Sequence, residues 1–397
     1  MRLASFTSHL LLDGHGPTVH ASPRRRDLHP YFGTAPYNVG DQFVALAIAR
    51  VLEFEEFYSI DPEAPDEDFE TINRECDVFL IRGSNFIYPG FFAQNLHMDL
   101  LRKIEIPIVY LGAGLQCDLD QRIELLEEDV ESLKYIHASS ASCSVRGYRS
   151  AELMHAAGID NVRVTGCPSI FWTLQPTVKV RPPAWDHVGW TVTDMSWRPD
   201  LNRQQFALMD ALRERAARLH VVVQGGEVVL QEYILCRDGL AVETRCDTQV
   251  SPALLKSRRE RKSLDHLAAM VGYYYRDAPK GLLEPLLNRS FFSNSVFDYF
   301  RYLRGLTLVY GTRLHGNVMA LCQGTPTFFV LHDSRLEDMA ELMRVPCMRI
   351  DDPPDALEVD ASAWLGFERV YPEIYRTFRD FLEENGLKHN LQGGAAA

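Results

Sequence analysis

The stretch at 305–333, GLTLVYGTRLHGNVMALCQGTPTFFVLHD, constrains the fold of this chain more than any other. Residues 306–310 form an apolar run of strand length, broken by Gly311 and Thr312. Residues 314–323 keep a short helical pattern, with Val318, Leu321 and Cys322 facing inward. Gly324 suits a left-handed stop, Pro326 follows it, and 327–331 reads as a second buried strand. This strand–helix–strand unit puts Arg313 in its loop and His315 in its first helical turn. Free backbone N–H groups, the positive helix end and a planar guanidinium together suit an anion. Taken singly, such a His is more often a satisfied core residue, and such an Arg a paired or solvated charge. Together, at the carboxyl end of a strand in an α/β chain, they mark a place where ligands gather.

The same alternation runs through the rest of the chain. Tyr37-Asn38-Val39-Gly40-Asp41 opens a helix over 42–53; Asp41 reads equally as a ligand contact or as an N-cap. A strand over 76–81 ends in Arg82-Gly83-Ser84-Asn85, and one over 106–111 ends in Gly112-Ala113-Gly114. Small residues at successive strand ends let a ligand approach the backbone, although tight strand-to-helix turns need glycine anyway. A strand over 142–145 ends in Arg146, and one over 161–165 ends in Gly166-Cys167-Pro168-Ser169. Strands alternating with helices over 38–170 imply a parallel sheet covered on both faces. The Pro-rich stretch 175–186 has the composition of a linker.

A second series follows, with strands over 188–192 and 220–223, a helix over 202–218, and helices over 293–304 and 335–343 flanking the central stretch. Residues 237–262 are charged and weakly patterned; SRRERK at 257–262 reads as a solvated face or a loop. Over 367–384, Phe367, Val370, Tyr371, Ile374, Tyr375, Phe378 and Phe381 share one helical side. The expected division is an N-terminal extension over 1–30 and two domains over 31–178 and 185–350. A helix within 360–390 packs back on the first domain, and 393–397 reads as an unstructured end. Two Rossmann-like, doubly wound α/β domains facing a cleft describe the glycosyltransferase-B architecture.

Composition narrows the function. The 397 residues exceed one ordinary core. A net charge of −13 argues against nucleic-acid partners and membrane surfaces, so an anionic ligand must be drawn in by a local arginine cluster. The eight cysteines show no zinc-type spacing, several sit in apolar runs, and a reducing cytoplasm suits them. Residues 10–12 are too short for the core of a signal peptide, and no run is long enough to span a membrane.

Gly-Thr-Arg-Leu-His-Gly at 311–316, followed by a small-residue helix, Gly-Thr-Pro, a strand and Asp333, resembles the polysaccharide pyruvyl transferases. Asn-x-Gly-Asp at 38–41 and the run from Ser144 to Ser169 resemble the same family, whose Gly-Gly turn is here Gly83-Ser84. The resemblance covers most of 37–345 and implies a glycosyltransferase-B-like fold. It further implies an enzyme that moves the pyruvyl group of phosphoenolpyruvate onto a sugar diol, forming a cyclic ketal and releasing phosphate. No metal or other cofactor is required by that scheme. Under it, Arg313 clamps phosphate, His315 is the general acid or the proton donor to the departing phosphate, and Asp41 is the base for the acceptor. Arg146 meets the donor carboxylate or the acceptor, and Arg82 and Arg335 are further anion contacts. Asn38, Gly40, Gly83, Ser84, Asn85, Gly112, Gly311 and Thr312 complete the expected binding set. The expected partners are phosphoenolpyruvate and a glycan or sugar-containing acceptor. Two other readings stay open: a nucleotide-sugar glycosyltransferase or epimerase of this fold, with Glu227 or Glu337 on the ribose, and a non-catalytic binding protein.

Overall fold

The protein is described from a computed structural model over residues 1–6, 18–21, 38–92, 96, 98–195, 197–225, 227–239, 264–293 and 295–393. Structural statements below concern those residues. The Arg24-Arg25-Arg26 run, Tyr37, nearly all of 237–262 and the end at 394–397 lie outside them.

Two all-parallel sheets carry the architecture. The first has strands β1 (Arg2–Phe6), β2 (Thr18–Ala21), β3 (Glu56–Ile60), β4 (Val78–Arg82) and β5 (Ile108–Leu111) in the order β2-β3-β1-β4-β5. A short parallel pair, β6 (Cys143–Val145) and β7 (Val162–Val164), joins it through a bridge between Ala113 and Val145. The second has β8 (His187–Val192), β9 (Arg218–Val223), β10 (Ser290–Phe291), β11 (Leu308–Gly311), β12 (Thr327–Leu331) and β13 (Cys347–Arg349). Its order, β10-β9-β8-β11-β12-β13, is the doubly wound arrangement that reverses direction between β8 and β11.

One expectation is corrected. Residues 1–30 are not merely an extension, because Arg2–Phe6 is the central strand of the first sheet, paired with both β3 and β4. Five residues with polar groups at Arg2 and Ser5 are too few to show a period, and their partners lie far along the chain.

The strands read as continuous apolar runs because both faces are covered. In β4, Val78 and Leu80 face one core while Phe79 and Ile81 face another. The first of these cores continues into the second domain. Away from the cleft the domains meet through aromatic rings: Phe43 lies 5.3 Å from Phe300, and Trp172 stacks on Phe300 at 4.8 Å.

The 175–186 connection contains neither helix nor strand. The last helix, Leu365–Glu384, buries Phe367, Tyr371, Tyr375, Phe378 and Phe381 and crosses back to the first domain. Phe378 stacks on Phe171 at 4.1 Å, Tyr371 donates to Ile170 O at 3.2 Å, and Arg163 pairs with Glu384. No described helix is long and apolar enough to cross a membrane.

Candidate active site

The reversal point of the second sheet builds half of the site. Gly311, at the end of β11, has φ +155°, and a Cβ there would lie 2.0 Å from Thr191 Oγ1. Glycine is therefore required for the sharp turn that leads into the Leu314–Leu321 helix. Arg313 occupies that helix's N-cap position. Its Nε donates to Val192 O at 3.2 Å, and its Nη2 donates to Glu227 Oε1 at 2.9 Å and to Gly225 O. The guanidinium thus spans the carboxyl ends of β8 and β9. Burial pushes the Glu227 carboxyl up to about 7, with Arg313 pulling the other way. Thr312 braces the turn against Thr193 Oγ1 at 2.9 Å and Gln205 Oε1 at 2.8 Å.

His315 follows in the first helical turn, with Nε2 3.7 Å from Cys167 Sγ of the first domain. Burial, then the charges of Arg146, Arg335, Arg82 and Arg313, hold the imidazole well below its ordinary value of 6.5. Burial is the largest cause, ahead of the four arginines.

The first domain supplies Arg146, just beyond β6 and only 2% exposed. Its Nε donates to Gly112 O at 3.0 Å, its Nη2 to Gly83 O at 3.3 Å, and its Nη1 to Asn85 Oδ1 at 3.1 Å. The strand-end glycines make this arrangement possible. A Cβ on Gly83 would fall 2.1 Å from the Gly112 carbonyl carbon, and Gly112 sits at φ +73°. Both glycines bring backbone to backbone and present carbonyls that hold Arg146, and neither lines the cleft.

At the first domain's leading helix, Val39–Val51, Asn38 stands at the N-cap position but makes no capping bond. Its Nδ2 instead donates to Asp41 Oδ2 at 2.6 Å. Arg82, 5% exposed, donates to Asp41 O at 2.9 Å from beneath the cleft. From the second domain, Asp333 caps the Ser334–Met343 helix and also accepts from Arg335 Nε at 2.9 Å, which aims Arg335 into the cleft.

These groups surround a cleft of about 110 Å³. Asn38, Asp41, Ser84, Asn85 and Arg146 line it from the first domain; Thr193, Gln224, Thr312, Arg313, His315 and Arg335 line it from the second. Of the expected set, Gly40, Arg82, Gly83, Gly112 and Gly311 are not part of this lining. Sequence reasoning did not single out Thr193 or Gln224, although both follow strands whose ends were recognised. Cys167 also went unassigned, since nothing local ties it to His315, 148 residues away. Three arginines and one carboxylate on the wall make the cleft locally cationic in a chain of net charge −13. No group of three or more His, Cys, Asp or Glu suited to a metal ion occurs among the described residues.

A family model described as polysaccharide pyruvyl transferase matches residues 38–334. No curated protein sequence matches the chain. Similar solved structures include an S. aureus MnaA–UDP complex, at 10% identity and TM-score 0.41, covering 99% of this chain and 92% of that one. A sucrose-phosphate synthase from Thermosynechococcus elongatus aligns at 12% identity and TM-score 0.39, covering 97% and 94%. Likenesses this distant carry no statement about chemistry.

Proposed function

This chain belongs to the polysaccharide pyruvyl transferase family, and from that premise we propose that it moves the pyruvyl group of phosphoenolpyruvate onto a sugar diol. The observation that carries this reading is the convergence of Arg146, Arg313 and Arg335 on His315 in one small cleft. A compact donor with a carboxylate and a phosphate needs at least two such cations close together.

In the proposed reaction the enol CH₂ takes a proton and becomes CH₃. Two hydroxyl oxygens of the acceptor bond to the same carbon as the C–O bond to phosphate breaks. Of the two hydroxyl protons, one balances the new methyl proton and the other leaves on phosphate. Arg313 and Arg335 hold the phosphate, and Arg146 holds the carboxylate. His315 is the proton donor. It is neutral in the free protein, and a bound dianion offsets the surrounding arginines and raises its pKa. Asp41 takes a hydroxyl proton from the acceptor.

The nucleotide-sugar alternative needs a free acid for the ribose hydroxyls. Glu227 is bound to Arg313, with its side chain 1% exposed, and Glu337 is paired with Arg149. Both acids are engaged, which favours the smaller donor.

The test is thermal unfolding of the wild type and Arg313→Ala with phosphoenolpyruvate, with a nucleotide sugar and without ligand. Binding at a hundredfold excess over Kd stabilises by about 2.7 kcal/mol. A shift with phosphoenolpyruvate that disappears in the variant is expected. A shift with the nucleotide sugar alone would overturn the reading.

A further inference from the structure

We infer that Gln224 and Asn38 form the acceptor subsite, taking hydrogen bonds from two hydroxyls of a neutral polyol and holding one of them against Asp41. The inference rests on the proposed reading and divides the cleft between its two substrates.

The groups lining the cleft fall into two hydrogen-bonding classes. Arg146, Arg313 and Arg335 only donate, and a carboxylate and a phosphate dianion only accept. Asn38, Gln224 and Asp41, which line the same cleft, offer the reverse. Asn38 Nδ2 is spent on Asp41 Oδ2 at 2.6 Å, so the amide's orientation is set and its Oδ1 is left as an acceptor. That Oδ1 is buried and has no hydrogen-bond partner among the described residues. Gln224 Oε1 is in the same condition, in a side chain belonging to a residue only 3% exposed. The Asp41 carboxylate, in the same cleft, also only accepts when ionised. Buried acceptors without donors are rare, and leaving one unmade costs about 1–3 kcal/mol. A donor anion has no proton to give them, whereas a sugar hydroxyl does.

The fold holds Gln224 in place from both domains. Its backbone O accepts from Val39 N at 3.2 Å. A Cβ on Gly40 would lie 2.0 Å from Gln224 Nε2, and one on Gly316 would lie 3.0 Å from Gln224 Oε1. The amide therefore occupies a slot between the first turns of two helices, one from each domain, and each turn has a glycine at the contact. Glycine within a helix costs about 0.5–1 kcal/mol against alanine, so space for this amide is kept at a cost to helix stability. Asn38 tells the same story: it holds an N-cap position without capping, its side chain being committed to Asp41.

The experiment is saturation-transfer NMR of the wild type, Gln224→Met and Asn38→Ala. The probes are methyl glucoside, methyl galactoside and methyl mannoside, each with its per-O-methylated form, with and without phosphoenolpyruvate. At least one free glycoside should give a signal on the wild type, its methylated form none, and each variant a signal at least fivefold lower. The phosphoenolpyruvate-induced thermal shift should be equal in all three proteins, which a general loss of structure would not allow. Equal glycoside signals in wild type and variants, no glycoside signal on the wild type, or a parallel loss of the phosphoenolpyruvate shift would each overturn the inference. Failure of the donor reading looks different: phosphoenolpyruvate gives no shift on the wild type while the glycoside pattern remains.

Discussion

Asp338 Oδ2 accepts a 2.7 Å hydrogen bond from Ser150 Oγ across the domain boundary, and its Oδ1 accepts from Arg149 N at 3.0 Å. The carboxylate belongs to the Ser334–Met343 helix, and the groups it satisfies open the Tyr148–Ala156 helix of the other domain. That helix has Gly147 at its N-cap, with no side chain of its own to offer. A Cβ on Gly147 would lie 2.4 Å from Asp338 Cβ, so the missing side chain also makes room for the borrowed cap.

Replacing Asp338 by Ala leaves two donors buried without partners and should cost about 1–3 kcal/mol. Asp338→Asn should cost less, because it keeps one acceptor oxygen. Urea unfolding measures both, and an unchanged midpoint for Asp338→Ala would show that the contact does not clasp the domains.

His315 should titrate differently with and without donor. In the free protein burial and then the arginines keep it neutral at pH 7. A bound dianion raises its pKa, so the limb on which activity falls with rising pH should lie higher in kcat than in kcat/KM. Identical limbs, together with normal turnover of His315→Gln, would remove His315 from the chemistry.

Arg313→Lys keeps the charge but loses the fork that bonds Val192 O and Glu227 together. Turnover should fall on the order of 10²-fold, and Arg313→Ala should fall further, towards about 10³-fold. Steady-state kinetics of the two variants decide it; near-normal rates for the lysine form would argue for a point charge.

Glu227 gives a stability signature. Its folded pKa of about 7 lies above its ordinary value of 4.5. Between those values the folded chain holds a proton that the unfolded chain has lost, so stability declines as pH rises and the penalty is complete above about 7. Glu227→Gln removes that penalty. Relative to wild type, the variant should gain stability from pH 5 to pH 8 in thermal unfolding. A constant difference would mean that Arg313 fully compensates the buried charge.

Acid should act through His137. Burial lowers its pKa from 6.5 to about 4, against a hydrogen bond with Asn161 that raises it. The unfolded chain binds the proton first, so this residue's contribution to stability is full above 6.5 and is lost as pH falls towards 4. The slope is about 1.4 kcal/mol per pH unit within that window. His137→Gln should flatten the stability profile between pH 6 and pH 4.5 by roughly that amount; a profile as steep as wild type would assign acid unfolding elsewhere.

Much of the fold was legible because its signals are local. The apolar run of 306–310, the Gly311 break and the Gly324 stop each lie within a few residues of what they specify, and the helix of Leu314–Leu321 formed between them. The one-sided aromatics of the last helix likewise announced a packed face. Arg2–Phe6 was not legible. Its place at the centre of a sheet depends on register with Glu56–Ile60 and Val78–Arg82, which no window around it contains.

By itself, then, the sequence determined two parallel α/β domains and an Arg-x-His turn at a strand end, because helical period, strand length and turn chemistry act over a few residues. Tertiary structure decided what the turn faces. It brought Glu227 behind Arg313, Cys167 beside His315 and Gln224 between Gly40 and Gly316. It also made the Gly83 and Gly112 carbonyls supports for Arg146. Those relationships depend on how two domains dock, and docking is set by packing between residues far apart in the chain, a property no local pattern records.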